Sequence, residues 1–251
     1  MANLRGADAQ NAKLWGANLT DADIREANLR NADLGGTDGL QVQALARTNP
    51  STATLPEEGA EFAGLEVVES ASQSARKLFV SVGLACAYAA LAISTESAQS
   101  DILELPIIGI EISVRGFFHV VPVLLALGFG YFHLQMQRVW EEIARLPAIF
   151  PDGKSIDQKV HPWLVTGIVR AHVPYVRDEP VRFFPLQWLI VVVLAWGLVP
   201  LTQGYFVVRF VERYPDEVLY SGWGTALVAV TLSSAVLSYV AARGTLRGHE
   251  Y

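Results

Sequence analysis

Residues 183–208 read FFPLQWLIVVVLAWGLVPLTQGYFVV and contain no charged side chain. Three more uncharged, largely apolar stretches lie at 78–95, 116–137 and 218–242. A helix needs about 20 apolar residues to cross the hydrocarbon core of a bilayer, which is roughly 30 Å thick. Within lipid only helices and closed barrels satisfy their own backbone hydrogen bonds, and these stretches lack the alternation of barrel strands. The sequence therefore predicts four transmembrane helices.

Composition agrees with a membrane protein, because 51% of the 251 residues are hydrophobic and only 18% are charged. The net charge of −6 lies in the first 75 residues, which hold five basic and eleven acidic side chains. An acidic segment without a basic patch does not suit a nucleic-acid surface. We therefore predict no nucleic-acid partner.

Motifs of known enzyme chemistry are missing from the sequence. It contains no HExxH, CxxC, GxSxG, Walker loop or GxGxxG pattern. The single cysteine, Cys86, lies within a predicted helix and is expected to be a packing residue. The first residues do not combine a basic region with an apolar run, so no cleavable signal peptide is predicted. We expect no enzyme activity, no cofactor and no metal site, and a membrane enzyme is the least favoured class.

The first 36 residues repeat with a period of five. From Ala2 the units are ANLRG, ADAQN, AKLWG, ANLTD, ADIRE, ANLRN and ADLGG. The first position is always alanine, and the third is Leu or Ile in every unit but the second, where it is Ala9. A period of five suits neither a helix nor a flat strand. The chain must turn every five residues and place one small and one branched side chain inside, which is typical of a solenoid.

These units resemble the pentapeptide-repeat family, whose motif is A-(D/N)-L-X-X. The resemblance implies a right-handed quadrilateral β-helix with four units in each coil, so seven units make fewer than two coils. The expected core residues are Leu4, Leu14, Leu19, Ile24, Leu29 and Leu34. The phase is lost at Thr37–Gly39, and residues 39–45 look like a short helical cap. Since so short a solenoid is difficult to stabilise alone, a partner, a second copy or the membrane region is expected to support it.

Three parts of the chain follow from these patterns. Residues 1–47 are predicted to form the β-helix stub with its helical cap. Residues 48–61 are rich in Pro, Ser, Thr and Glu and are interpreted as a linker. Residues 62–251 are predicted to form a four-helix transmembrane domain with a cytoplasmic insert at 138–182, in which 156–173 reads as an amphipathic helix.

The charges between the stretches predict the orientation of the helices. The loop 94–114 carries four acidic residues and no basic one, whereas the insert 138–182 carries seven basic residues. Basic residues stay on the cytoplasmic side, so both termini and the insert are predicted to be cytoplasmic. The order of repeat, linker and helices also looks like a bacterial group of pentapeptide-repeat membrane proteins with four C-terminal helices. That resemblance implies a multi-pass protein of the bacterial inner (plasma) membrane.

A possible intramembrane polar site is formed by Arg115, His119 and His133 on the second membrane helix. Arg115 and His119 are four residues apart, and His133 returns to within about 40° of the face of His119. Ionisable groups at membrane depth often line an ion, proton or ligand path. In the simpler interpretation, Arg115 reaches the outer headgroups and the two histidines lie near the interfaces.

Two classes of function remain open. In the first, the protein is a membrane-anchored interaction or scaffold protein whose cytoplasmic repeat recruits a protein partner or self-assembles. In the second, it is a small oligomeric channel, transporter or membrane-perturbing effector that the repeat gates or assembles. The first is favoured because the membrane stretches hold few ionisable groups. In either class we expect the bilayer and a homo-oligomer or membrane complex as partners.

Overall fold

The computed structural model contains two compact units, which we call the repeat domain and the bundle domain. The repeat domain holds residues up to 73, 136–188 and from 241 onward, and the bundle domain holds 74–135 and 189–240. The residues described by the structure are 2–56, 62, 64–94, 101–105, 107, 109–160, 164–173, 175–176 and 184–247.

The N-terminal segment forms a coil in which successive turns lie 20 residues apart. Coil 1 begins at residue 2, coil 2 at residue 22 and coil 3 at residue 42. Coils 1 and 2 are joined by four parallel bridges, namely Asn3–Asp23, Asp8–Asn28, Lys13–Asp33 and Asn18–Asp38. Single bridges, rather than extended strands, hold this part of the described chain together. The five-residue repeat therefore continues through Asp38 in the structure, two residues beyond Gly36, where the repeat in the sequence ends.

In the second unit of coil 2, residues 27–31, each backbone N–H has a defined partner. Ala27 N–H donates to Ile24 across the corner, Asn28 N–H to coil 1, and Leu29 N–H to coil 3. At the fourth position Arg30 N–H donates to the side chain of Asn28, which is why Asn or Asp stands two residues earlier. At the fifth position Asn31 N–H donates to coil 3 and adopts a φ of 57°. Most corner residues are Gly, Asn or Asp because these types tolerate a left-handed backbone.

Burial in the coil increases from its first turn to its second. Leu19, Ile24, Leu29 and Leu34 are buried, whereas Leu4 and Leu14 are half-buried. Ala27 and Ala32 are also buried, and they occupy the inner corners where little volume is available. The gradient arises because the described residues cover coil 1 on one side only.

The predicted linker at 48–61 is wrong in its first half. Asn49 bridges Asn28 and Thr54 bridges Asp33, so residues 48–55 form two sides of coil 3. The spacing is now 21 residues, because the first side of coil 3 contains a 3₁₀ helix, Val42–Leu45, that takes in one extra residue. The predicted cap is therefore a side of coil 3. The remainder of the linker, 57–61, lies outside the described residues.

Seven α-helices and one hairpin follow the coil in the described chain. The hairpin, β1 (Ile102–Glu104) and β2 (Glu111–Ser113), is antiparallel and joins the first two long helices. The helices are α1 (Gly64–Ser94), α2 (Val114–Ala144), α3 (Ile156–Lys159), α4 (Leu164–His172), α5 (Phe184–Val192), α6 (Leu198–Arg213) and α7 (Val218–Arg247). A π-helical turn at Val193–Gly197 joins α5 to α6 without a break in the helical backbone.

Four of these helical segments are long and apolar enough to cross a membrane. They are Gly64–Ser94, Val114–Ala144, Trp188–Arg213 and Gly222–Arg247. Their outer faces carry many exposed large apolar side chains, such as Leu84, Leu127 and Leu237, which is the pattern expected for helices in lipid. The chain therefore has the features of a multi-pass helical membrane protein.

The predicted insert does not stand apart from the repeat. Residues 136–188 share one compact unit with the coil. The predicted domain boundaries at 47/48 and 61/62 therefore both lie inside this unit, whose first segment extends to residue 73. The predicted helix over 156–173 is present as α3 and α4, with 161–163 between them outside the described residues. Sequence periodicity reports local structure and carries no signal for such long-range packing.

Candidate functional site

Trp15 is the most exposed aromatic side chain on the coil, with 70% of its surface accessible. Its indole ring lies against the backbone of Gly35 and Gly36, one coil further along on the same side. A Cβ atom at Gly35 would overlap the ring, so a glycine is needed there for the ring to lie flat. Gly35 and Gly36 thus form a flat backbone surface, the Trp15 seat, against which one face of the indole ring lies. The other face of the ring is exposed.

Coil 1 also leaves part of its backbone unpaired. The N–H groups at the second position of coil 2, for example Asp23 and Asn28, donate to carbonyls of coil 1. The equivalent N–H groups of coil 1, on Asn3 and Asp8, have no backbone partner among the described residues. They point to the place where a preceding coil would lie. Unpaired strand edges of this kind accept a further strand.

The opposite end of the coil is attached to the inner part of the repeat domain through Arg47. This arginine is only 7% exposed, and its guanidinium lies 3.1 Å from the Glu26 carboxylate and 3.2 Å from the Thr245 carbonyl at the end of α7. Arg5 contacts the same carboxylate at 3.1 Å. Because a carboxylate can accept several charge-assisted hydrogen bonds, Glu26 joins coils 1, 2 and 3 at one point.

Backbone contacts from the insert cover the remaining side of coil 3. Arg47 N–H donates to the Leu146 carbonyl, and Ala148 N–H donates to the Thr48 carbonyl. Thr52 N–H donates to the carbonyl of Pro151 in the following turn. The segment 146–151 therefore satisfies backbone groups that an uncapped solenoid would leave open.

Tyr175 adds a polar contact to the same end of the coil. Its hydroxyl donates to the backbone carbonyl of Glu26 at 2.7 Å. Burial raises the pKa of the Tyr175 hydroxyl, and the negative charges of Asp8 and Glu26 raise it further. The phenol therefore stays protonated and remains a hydrogen-bond donor at neutral pH.

Two carboxylates outside the membrane stretches have lowered pKa values. Hydrogen bonds from the Arg25 side chain hold the pKa of Asp23 at about 2, against the partial burial that opposes the shift. Burial is the largest single influence at Asp152 and opposes the shift, but the hydrogen bonds from Lys159 and from Lys154 N–H, together with the charges of both lysines, outweigh it and lower the pKa. Both groups are therefore ionised at neutral pH and act as structural ion pairs.

Of the three residues of the predicted intramembrane site, the structure keeps Arg115 and His119 next to each other and places His133 apart from them. Arg115 lies 2.7 Å from the Glu217 carboxylate, and its guanidinium is 5.0 Å from the centre of the Tyr214 ring. His119 Nδ1 lies 2.6 Å from the Arg115 carbonyl one turn earlier on α2, and His119 is exposed. His133 is 14 residues further along, about 21 Å at 1.5 Å per residue. The three residues therefore do not form one site.

His133 is 8% exposed and belongs to a separate polar cluster in the bundle domain. Its Nδ1 lies 2.8 Å from the Ser238 Oγ on α7, and its ring centre lies 5.5 Å from that of Trp196. His133 Nε2 and Trp196 Nε1 are both buried and have no hydrogen-bond partner of normal geometry among the described residues. In an apolar surrounding such groups are costly, so this cluster is a buried polar element of the long apolar helices.

Trp196 lies in the π-helical turn, and a second polar side chain, Gln203, lies two turns later on α6. π-helical turns occur frequently at functional sites because they alter the direction of the side chains they carry. Gln203 is buried, and its Nε2 donates to the Pro122 carbonyl on α2 at 2.9 Å, whereas its Oε1 is unpartnered in the described chain. The arrangement connects α2 to the neighbouring helices through hydrogen bonds.

Sequence reasoning pointed to His133, to Gln203 as a helix-to-helix hydrogen-bonding residue and to a short helix at 39–45, but it missed the pairing of His133 with Ser238 and Trp196 and the third coil as such. Residues 53–56 read ATLP, and this fragment of the A-(D/N)-L-X-X motif could have indicated a further side of the coil. Pro50 at the leucine position and the extra residue before it concealed the continuation. For Trp196 there was no local signal, because a π-helical turn has no composition of its own.

Comparison with known families identifies a family for the coil but not for the helices. Residues 2–38 match the family described as pentapeptide repeats, in eight copies. The pentapeptide repeat identified from the sequence is therefore confirmed, and the match extends through Thr37 and Asp38. The chain matches no curated protein and no solved structure. The match covers the coil alone, so the helical region has to be interpreted from its own residues.

Proposed function

We propose that this protein is a membrane-anchored interaction or scaffold protein without enzymatic activity. The four long helices anchor it, and the pentapeptide coil, a right-handed quadrilateral β-helix, binds a protein partner in the cytoplasm. The membrane is the bacterial inner membrane, and both termini are cytoplasmic. This orientation is supported by the basic residues of 138–182 and by the acidic loop 94–114.

The Trp15 seat is the observation that carries this proposal. An indole that is 70% exposed and held flat by Gly35 and Gly36 has already lost much of its conformational freedom before a partner binds. Tryptophan is enriched among the residues that dominate protein–protein affinity, where truncation typically costs about 2 kcal/mol or more. The attached end of the coil contrasts with this open side, since Arg47 and the segment 146–151 already cover it.

A photo-crosslinking experiment tests the proposal in intact cells. A photoreactive amino acid replaces Lys13, which is exposed and lies on the same side of the coil as Trp15. We expect a discrete protein adduct that disappears in the Trp15→Ala variant, since a loss of about 2 kcal/mol weakens binding about 30-fold. Thr20→Ala is the matched control, because Thr20 occupies the same outward position on the next side of the coil. An adduct that persists in Trp15→Ala, or is lost equally in Thr20→Ala, contradicts the proposal.

Assembly is part of the same proposal. The open edge of coil 1 and the exposed apolar helix faces favour a homo-oligomer or a subunit of a larger membrane complex. Native mass spectrometry of the full chain in mild detergent measures the stoichiometry directly. A stable monomer that co-purifies with no other protein would contradict it.

A second candidate function is a small oligomeric channel, transporter or membrane-perturbing effector. The polar cluster of His133, Ser238 and Trp196 favours it, because buried polar groups at membrane depth often mark a path. Flux of protons or small ions into vesicles that contain the protein would support this candidate if His133→Leu abolished it. The absence of proton or ion flux in vesicles with a high protein density would contradict this candidate.

A further inference from the structure

Helix α2 carries an exposed stripe that ends in an arginine. Leu127, Tyr131 and Leu134 are all exposed and follow each other at steps of four and three residues, so they share one face of the helix. Arg138 is the next residue on that face, four positions later, and it is also exposed. It is the first charged residue after the uncharged stretch 116–137.

Helix α7 repeats this arrangement. Val236 and Val240 are exposed and four residues apart, and the exposed Arg243 follows three residues later on the same face. Arg243 is the first charged residue after the uncharged stretch 218–242. In both helices, an apolar surface suited to acyl chains thus leads directly to an exposed arginine, which in α7 is followed on the same face by Arg247.

Neither arginine has an ion-pair partner within the described ranges, unlike Arg145 and Arg170 of the same domain. Arg145 lies 2.8 Å from the Glu142 carboxylate, and Arg170 lies 2.7 Å from that of Asp157. An exposed, unpaired guanidinium keeps all its hydrogen-bond donors available for a planar anion such as phosphate. Arg138 and Arg243 are therefore exposed cations with free binding capacity near these two helix ends, whereas Arg247 on α7 is half-buried.

The ends of α2 and α7 are held side by side. Gln137 Nε2 donates to the Thr245 Oγ1 at 3.0 Å, next to both arginines. At about 100° per residue, Arg138 lies about 100° around α2 from Gln137, and Arg243 lies about 160° around α7 from Thr245. Both side chains thus point away from the contact between the helices, and each has to find its own partner.

We propose that Arg138 and Arg243 each bind the phosphate of an anionic phospholipid, such as phosphatidylglycerol, in the leaflet at which α2 and α7 end. The stripe on each helix contacts the acyl chains, and the guanidinium forms bidentate hydrogen bonds with the headgroup. The apolar residues directly above each arginine favour a lipid over a soluble anion or an acidic protein, which would not cover them. This inference is independent of partner binding by the coil.

Spin-labelled lipids test the proposal on the full chain in phosphatidylcholine vesicles. Electron spin resonance measures the fraction of motionally restricted spin label and gives the association of phosphatidylglycerol relative to phosphatidylcholine. The wild-type protein should prefer phosphatidylglycerol, and Arg138→Gln and Arg243→Gln should each reduce the preference, by up to about fivefold. Concentrated salt, at about 1 M, should reduce the wild-type preference strongly, because the Debye length falls to about 3 Å.

Arg145→Gln is the matched control, since it removes the same charge but from an arginine that is already paired with Glu142. It should leave the lipid preference unchanged. The proposal is overturned if the wild-type protein shows no preference, if the double variant Arg138→Gln/Arg243→Gln keeps it, or if Arg145→Gln lowers it equally. Both substituted side chains are exposed, so hydrogen exchange of the coil should be the same in all variants and verifies that they are folded.

Discussion

At the residue scale, single side chains determine the geometry of the coil. The alanine at the first position of each unit lies at an inner corner, and its side chain is buried once a further coil covers it. Ala32 in coil 2 is only 1% exposed, whereas Ala12, its equivalent in coil 1, is half-buried. The two positions have the same local sequence role and differ in their packing, which makes them a natural pair for comparison.

We predict that Ala32→Leu destabilises the coil by about 1–3 kcal/mol, because the covered corner has no room for three more carbon atoms. Ala12→Leu should cost clearly less, since the described coil leaves space beside it. Hydrogen exchange of amides in residues 22–36 measures both effects in the full chain. Equal destabilisation by the two variants would show that coil 1 is covered as fully as coil 2.

Asp23 gives the coil a predictable dependence on acid. Its pKa is about 2 in the folded protein and about 3.9 in an unfolded chain, so the folded state favours the ionised form. The stabilisation is therefore complete above about pH 4 and is lost as the pH falls towards 2. Asn can replace Asp in the turn, as Asn3 does when it accepts Arg5 N–H.

Asp23→Asn should thus lower stability by about 1 kcal/mol at neutral pH, after allowance for solvent screening of this partly exposed pair, and by almost nothing near pH 2. Amide exchange of residues 22–30 across this pH range provides the measurement. Asp33→Asn is the control, because the Asp33 carboxylate accepts Gly35 N–H and forms no ion pair within the described chain. A constant difference between Asp23→Asn and the wild-type protein at every pH would contradict the assignment.

At the scale of elements, the coil is attached through a few groups at the ends of α2 and α7. Arg47 connects coil 3 to the end of α7, and the segment after α2 covers the same side through backbone hydrogen bonds. A solenoid of about three turns has little core of its own. Its stability therefore depends on the elements that close this end.

Removal of the Arg47 guanidinium should expose that dependence. Arg47→Met keeps most of the apolar stem but leaves the Glu26 carboxylate with Arg5 alone and the Thr245 carbonyl without the Arg47 donor, at a cost of about 2 kcal/mol. Arg5→Met removes the more exposed partner of the same carboxylate and should cost less than about 1 kcal/mol. Exchange protection of residues 44–55 reports the difference, and the reverse ranking would refute the role given to Arg47.

At the scale of the whole molecule, orientation in the membrane decides which side the coil and the insert face. Glu111 in β2 and Lys154 in the insert are both exposed and belong to loops predicted to lie on opposite sides. Cys86 is the only cysteine, so Cys86→Ala provides a background without thiols.

In that background, Glu111→Cys should react with a membrane-impermeant maleimide added to intact cells, and Lys154→Cys should react only after the membrane is permeabilised. Labelling is read by mass shift on a gel. Labelling of Lys154→Cys in intact cells, with Glu111→Cys protected, would reverse the proposed topology.

Much of this architecture can be predicted from short stretches of sequence. Each corner of the coil closes within five residues, through a turn, an Asn or Asp side chain and a residue that tolerates positive φ, so the motif alone indicates the coil. The four helices follow from the length and composition of the uncharged stretches, because a helix in lipid pairs its own backbone groups. Both are local properties, and local properties leave a periodic trace in the sequence.

Contacts between distant segments left at most a weak trace, such as the partial motif ATLP at 53–56. The third coil depends on hydrogen bonds from residues 27–34 to residues 49–54, and the insert meets it about 100 residues later. The pairing of His133 with Ser238 spans 105 residues, and the prediction had grouped this histidine with Arg115 and His119 on the basis of helix geometry alone. Helical spacing states which residues share a face but not which neighbour covers it. That choice is made by packing and by the requirement that buried polar groups find partners, and both depend on the folded chain as a whole.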